Sequence, residues 1–191
     1  MKNYIENDQV EIAPSNVNNE KEFYLPQHAV KKIKQESTKW RVVFNPSSRM
    51  PNSFSLNDAL EIGSNLLPDI LSVLLRFRLH EQALTGDGTQ AFLQLSLDER
   101  ERDATRFFWF QTVTTPQGLE FSKDEVVTYR FQRLPFGLGC SPFLLSSTLR
   151  ELATIHKSEF PFAAAEVHKN FYMDDILSST QNEEDIVALY R

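Results

Sequence analysis

The sequence has a single cysteine, Cys140, which excludes an intramolecular disulfide and any zinc site built on cysteines. Histidine is almost as scarce. His28, His80, His156 and His168 show neither the HExxH nor the Cys/His finger spacing and read as structural or surface residues. No signal-peptide pattern opens the chain, and no apolar run approaches the ~20 residues of a membrane span. A soluble, intracellular protein without a membrane partner is expected. An excess of positive charge is missing too: 20 Lys and Arg against 26 Asp and Glu leave a formal net charge of −6. A protein that holds nucleic acid by bulk charge is thereby disfavoured, and any polyanion site must be local. Internal repeats and low-complexity tracts are absent.

What is present suffices for one domain with a sizeable core, since 41% of the 191 residues are hydrophobic. Residues 1 to about 22 are polar and are expected to form a disordered or extended lead-in, with the ordered domain over 23–191. Near its start the charge reverses locally: Lys31, Lys32, Lys34, Lys39 and Arg41 face a single acid, Glu36. On its own this is a solvated charged face. Trp40 to Phe44 has strand texture, with Trp40 expected in the core. Ser55-Leu56-Asn57-Asp58 opens a short helix that Gly63 limits, and Pro68 suits the first position of a core helix carrying Ile70 to Phe77. Asp98 to Asp103 reads as an exposed charged turn or short helix without a function. Thr105 to Thr112 and Val126 to Gln132 read as paired strands. Pro142 starts an apolar helix that Phe160-Pro161-Phe162 ends, and Glu183 to Tyr190 begins another.

The most pointed stretch is Phe171-Tyr172-Met173-Asp174-Asp175-Ile176-Leu177. In a regular strand Asp174 and Asp175 would lie on opposite faces, so both can approach one cation only if the chain turns between the apolar arms. A hairpin tip is the natural reading. Two carboxylates there, with Asp87 as a third from another strand, would make the oxygen-rich site that Mg²⁺ favours. The plain alternatives are a solvated Asp-Asp turn and a helix-capping Asp87.

Tyr172-Met173-Asp174-Asp175 resembles the YXDD box of reverse transcriptases, and three upstream strings resemble further elements of that family. Lys34-Gln35-Glu36-Ser37-Thr38-Lys39-Trp40-Arg41 is similar to its fingers hairpin. Asp87, Ala91 and Phe92 match the spacing of its first catalytic motif. Leu134-Pro135-Phe136-Gly137-Leu138-Gly139-Cys140-Ser141-Pro142 resembles its LPxGxxxSP loop. All four occur in the family's order from Lys34 to Leu177. The texture of Phe23 to Val30, Arg41 to Phe44, Leu74 to His80 and Leu134 to Leu138 is closest to the BEL/Pao class of LTR retrotransposons.

The resemblance implies an α+β fold, a polymerase palm with an antiparallel sheet backed by helices, plus partial fingers. It implies an RNA-directed DNA polymerase that joins dNTPs to a primer on an RNA or DNA template, with two Mg²⁺ ions (or Mn²⁺) on Asp87, Asp174 and Asp175. Lys34 and Arg41 would hold the triphosphate, the Gly88 carbonyl would face a metal, and Phe92 would gate the sugar. Phe136 would lie next to the sugar, Gly137 would let backbone approach the base pair, and Met173 would take a strained turn conformation. Gly88-Thr89-Gln90 departs from the family's usual apolar and charged residues, which suggests a loosened backbone at a metal ligand. The family also implies a thumb and an RNase H domain further along a polyprotein. Without them the chain alone is expected to be weakly processive or inert, in the cytoplasm or inside virus-like particles. A non-catalytic palm remnant that binds nucleic acid or protein is the competing expectation.

Overall fold

The computed structural model describes residues 1–15, 21–34 and 37–190. Residues 16–20 of the expected lead-in and 35–36 of the expected fingers hairpin lie outside the described residues. The chain forms two compact units, each assembled from two separate stretches: Met1–Glu61 with Leu93–Gly139, and Ile62–Phe92 with Cys140–Arg191.

In the first unit, β5 (Arg106–Thr115) and β6 (Gly118–Phe131) form a long antiparallel hairpin, and β1 (Val10–Ile12) pairs on the far side of β6. A second hairpin joins β2 (Gln27–Lys34) to β3 (Ser37–Phe44). Period-two alternation turns Phe107, Tyr129 and Phe131 inward, each at most 2% exposed. Phe44, from the base of β3, completes the cluster. Its ring centroid lies 4.8 Å from that of Phe107 and 4.9 Å from that of Phe131. Trp40, expected in this core, is 66% exposed instead. Strand periodicity says which residues share a face, but not how far along the hairpin the core extends.

Of the lead-in expected to be disordered or extended, Lys2–Glu6 is helical instead, while Val10–Ile12 is an extended strand. The short helix α1 (Lys2–Glu6) lays Tyr4 edge-on against Phe131, with ring centroids 5.7 Å apart, and Val10 and Ala13 are buried. A few apolar anchors within polar text are enough when a sheet edge offers hydrogen bonds. Charge helps as well: Glu11 accepts from Arg130 Nε at 2.7 Å and pairs with Arg102 at 3.2 Å.

The segment Asp98 to Asp103 is also corrected. It enters a 3-10 helix, Glu99–Thr105, whose Asp103 is 1% exposed and accepts from Arg106 Nε at 2.9 Å and Arg130 Nη1 at 3.1 Å. A buried carboxylate between two guanidiniums meets the rule that interior charges are paired.

In the second unit, β4 (Gln82–Asp87), β8 (Asp175–Thr180) and β7 (Phe171–Tyr172) form an antiparallel sheet in the order β4-β8-β7. Helices α3 (Ile70–Phe77), α5 (Pro161–Asn170) and α6 (Glu183–Tyr190) pack on it, and α4 (Ser141–Ile155) packs on α5. Asp69, not Pro68, caps α3, accepting from the Ser72 amide at 2.8 Å. Pro161, read as a terminator, sits in the first turn of α5, where its missing N–H costs nothing. In the first unit, the short α2 (Leu56–Ala59) is closed by a capping box between Ser55 and Asp58. The α+β class expected from the sequence is the class observed. Among the described residues no helix is long and apolar enough to cross a membrane.

Candidate active site

The tip between β7 and β8 is built by register. Tyr172 pairs with Asp175, so Met173 and Asp174 form a two-residue turn. Met173 has φ +59°, the left-handed value that such tight hairpin turns require and that non-glycine residues rarely adopt. On the other edge of β8, Asp87 stands directly opposite Asp175. Residues opposed in this way share a sheet face, with Cβ atoms roughly 4.5–5.5 Å apart. Immediately after Asp87, the Gly88 amide donates to the Asp174 carbonyl at 2.6 Å. Asp87, far from Asp174 and Asp175 in the chain, thus meets them at one end of one sheet. Asp87 and Asp175 are exposed and Asp174 is half-buried.

Gly88 does not loosen this end. A Cβ built there would lie 2.9 Å from the Asp174 carbonyl oxygen and 3.1 Å from Ala91 Cβ, so the glycine is what allows the close approach. Its own carbonyl accepts from the Ala91 amide at 3.1 Å. Phe92 follows in a 3-10 helix (Ala91–Gln94) and is 7% exposed.

Behind the hairpin runs a polar chain that sequence reasoning missed. Glu166 on α5 accepts from Ser178 Oγ at 2.5 Å and from Asn170 Nδ2 at 2.7 Å, and Asn170 Oδ1 accepts from Arg76 Nε at 2.7 Å. Ser178 and Asn170 are buried. Only the tertiary fold brings Arg76 to Asn170, so no local pattern announces the link.

As donors the three carboxylates suit a hard divalent cation. Among the described residues, however, no three or more His, Cys, Asp or Glu side chains are already grouped to hold one. The fit therefore rests on donor chemistry and strand register.

The remaining candidates lie in the first unit. Arg41 pairs with Val30 in the β2–β3 hairpin and its side chain is exposed; Lys34 pairs with Ser37, and its side chain lies outside the described part. In the loop after β6, Leu134 and Pro135 are buried while Phe136 is 49% exposed. Gly137 has φ +95°, and a Cβ there would approach Pro46 Cδ to 3.1 Å. Asn57, at the start of α2 and unremarked as a site residue from sequence, clamps this loop. It donates to the Gly137 carbonyl at 3.0 Å and accepts from the Gly139 amide at 2.8 Å.

Residues 26–191 match the family model described as reverse transcriptase (RNA-dependent DNA polymerase). The chain belongs to the reverse transcriptase family. Among curated relatives, Protein P of Arctic squirrel hepatitis virus is 37% identical over 60 residues, covering 31% of this chain and 6% of that protein. Protein P of a woodchuck hepatitis B virus isolate (w64/pWS23) is 35% identical over 60 residues, covering 31% of this chain and 10% of that one. Two solved structures share the fold of this reverse transcriptase chain. The foamy viral protease-reverse transcriptase in complex with double-stranded DNA has a TM-score of 0.64 at 18% identity, covering 98% of this chain and 26% of that one. The native prototype foamy virus protease-reverse transcriptase gives 0.63 at 18%, covering 97% and 20%. The chain thus spans a small part of each relative's length.

Proposed function

We infer that this chain is the nucleotidyl-transfer region of an RNA-directed DNA polymerase from an LTR retrotransposon of the BEL/Pao class, acting with the thumb and RNase H parts of a polyprotein. One observation carries the catalytic reading: in a chain of the reverse transcriptase family, Asp87 faces Asp175 across a strand pair while Gly88 is hydrogen-bonded to Asp174 at the adjoining tip. The BEL/Pao assignment rests on the texture of residues 23–30, 41–44, 74–80 and 134–138.

Asp87, Asp174 and Asp175 are the residues that would hold two Mg²⁺ or Mn²⁺ ions, which supply a more acidic primer 3′-hydroxyl and charge neutralisation on the triphosphate. Every other role falls to the chain itself. Arg41 and Lys34 would grip phosphate oxygens, the guanidinium through its planar fork and the ammonium as a point charge. Phe136 would bear on the sugar, and Gly137, held open by its positive φ and the Asn57 clamp, would present backbone to the base pair. Phe92 would close the floor under the sugar and exclude a 2′-hydroxyl. Met173 would fix the turn that aims Asp174. Alignment and electrostatic stabilisation account for the acceleration.

The test is primer extension on RNA and DNA templates with dNTPs, using the chain continued through its downstream reading frame. Asp174→Asn is expected to abolish extension; wild-type rates in that variant would defeat the assignment. The lack of a ready-made carboxylate group among the described residues favours a second reading, a palm-fold remnant that binds without catalysing. That reading prevails if the unmutated protein extends no primer with either Mg²⁺ or Mn²⁺.

A further inference from the structure

Strand β7 has only two residues, and its ladder with β8 has two rungs, Phe171 with Ile176 and Tyr172 with Asp175. So short a ladder does not fix its own register, and a slip of one residue would turn each side chain of β7 to the other face and re-aim the tip. Strand β8 is not at risk, because it pairs with β4 all the way from Gln82 opposite Thr180 to Asp87 opposite Asp175. What needs an outside anchor is β7, and with it the Met173-Asp174 turn.

The anchor lies at the open end of the hairpin. Glu166 Oε2 accepts from Asn170 Nδ2 at 2.7 Å and from Ser178 Oγ at 2.5 Å. Asn170 ends α5 directly before Phe171, and Ser178 stands on β8, so one carboxylate oxygen holds both arms. Arg76 steadies the same junction, donating through Nε to Asn170 Oδ1 at 2.7 Å and through Nη2 to the Lys169 carbonyl at 2.6 Å. The Asn170 amide therefore has a guanidinium on its oxygen and a carboxylate on its nitrogen, a series in which each bond polarises the next. For folding alone the carboxylate is a poor choice. It is half-buried, and among the described residues no cation pairs with it, so no ion pair offsets its desolvation. What the charge supplies is stiffness, since hydrogen bonds to an ionised acceptor are roughly twice as strong as neutral ones.

We propose that Glu166 is a positioning residue: by tying Asn170 to Ser178 it sets the register of the β7–β8 hairpin and so holds Asp174 where the Gly88 amide reaches its carbonyl. It rests on the proposed function only in giving Asp174 a metal to hold; the tie itself belongs to the fold.

The experiment follows amide hydrogen exchange by NMR on the full chain in EDTA, without metal, primer or dNTPs. Gly88 lies at the end of another strand and its amide donates to the Asp174 carbonyl at 2.6 Å, so its exchange reports where the tip sits. Glu166→Ala is expected to speed exchange at Gly88 and at residues 171–176 by roughly 10- to 150-fold, as for the loss of a hydrogen bond to a charged group, while Ala83–Thr85 exchange as in the parent. Ser178→Ala, which leaves α5 untouched, is expected to act in the same direction, and Glu166→Gln, which keeps an acceptor oxygen, to stay close to the parent. A role confined to the packing of α5 would not reach Gly88. The tie is overturned if Gly88 exchanges as in the parent in both alanine variants, if protection falls equally throughout β4 and β8, or if the parent's hairpin amides are unprotected. In primer extension by the chain continued through its downstream reading frame, Glu166→Ala is expected to lower kcat with the KM for dNTP little changed, and an unchanged kcat would also count against it. A parent that extends no primer but shows the expected exchange pattern would sink the catalytic reading and leave the tie standing.

Discussion

At Gly88 a hydrogen atom in place of a side chain lets strand β4 reach the hairpin tip. Gly88→Ala would set a methyl group 2.9 Å from a backbone oxygen that cannot rotate away. Overpacking of this kind typically costs about 1–3 kcal/mol, and here it displaces Asp174 as well. Lower thermal stability and reduced primer extension are expected together. Gly86→Ala meets only Ile176 Cγ2, at 3.0 Å, and is expected to be milder in both assays, because a side chain can shift. Cys140 makes a different prediction. Burial raises its thiol pKa, so reaction with a disulfide reagent at neutral pH should be slower than that of free cysteine, with a rate midpoint at higher pH. The convergence of Asp87 with Asp174 and Asp175 was legible in the sequence, and the strand register brings the three to one end of one sheet. Gly88 was legible as an oddity but not as a necessity, because the Asp174 carbonyl that requires it lies in another strand.

At the scale of elements, β1 is the instructive case. It holds its place through a short ladder and the Glu11, Arg130 and Asp103 ion pairs. Removing the central acid leaves Arg106 and Arg130 buried without their shared partner, so Asp103→Ala is expected to cost about 3–5 kcal/mol in urea denaturation. Glu11→Gln, at a site with a 27% exposed side chain, should cost less. Equal stability of Asp103→Ala and the parent would remove this network from the account. The strands β4 and β8 and the helix α4 were readable because their apolar runs end at residues with strong local meaning. Helix α5 was not, since a proline can end one helix or begin the next, and the choice depends on whether the residues after it find a surface to pack on. The ion network hid for a related reason: Asp98 to Asp103 looks solvated until Arg130 arrives from another strand.

For the molecule as a whole, acid is the informative variable. Asp58 is held below the usual carboxylate range by hydrogen bonds from Ser55, Asp69 by those from Ser72, and Asp98 by those from Arg100. A depressed folded pKa means stability that is fully present above the unfolded value, about 3.9, and lost as pH falls through the folded values. Stability should therefore be steady from neutral to mildly acidic pH and decline below about pH 4, each exposed group adding little; a urea midpoint unchanged between pH 6 and pH 3 would contradict this. The threading of the chain has its own outcome. Strand β4 takes β8 as its partner, Gln82 meeting Thr180, and both compact units wait on their second stretches. During synthesis Asp87 leaves the ribosome long before the strand that faces it, so the acidic tip is among the last features to form. A message cut short ahead of β8 would yield a protein with most of its text and no acidic tip.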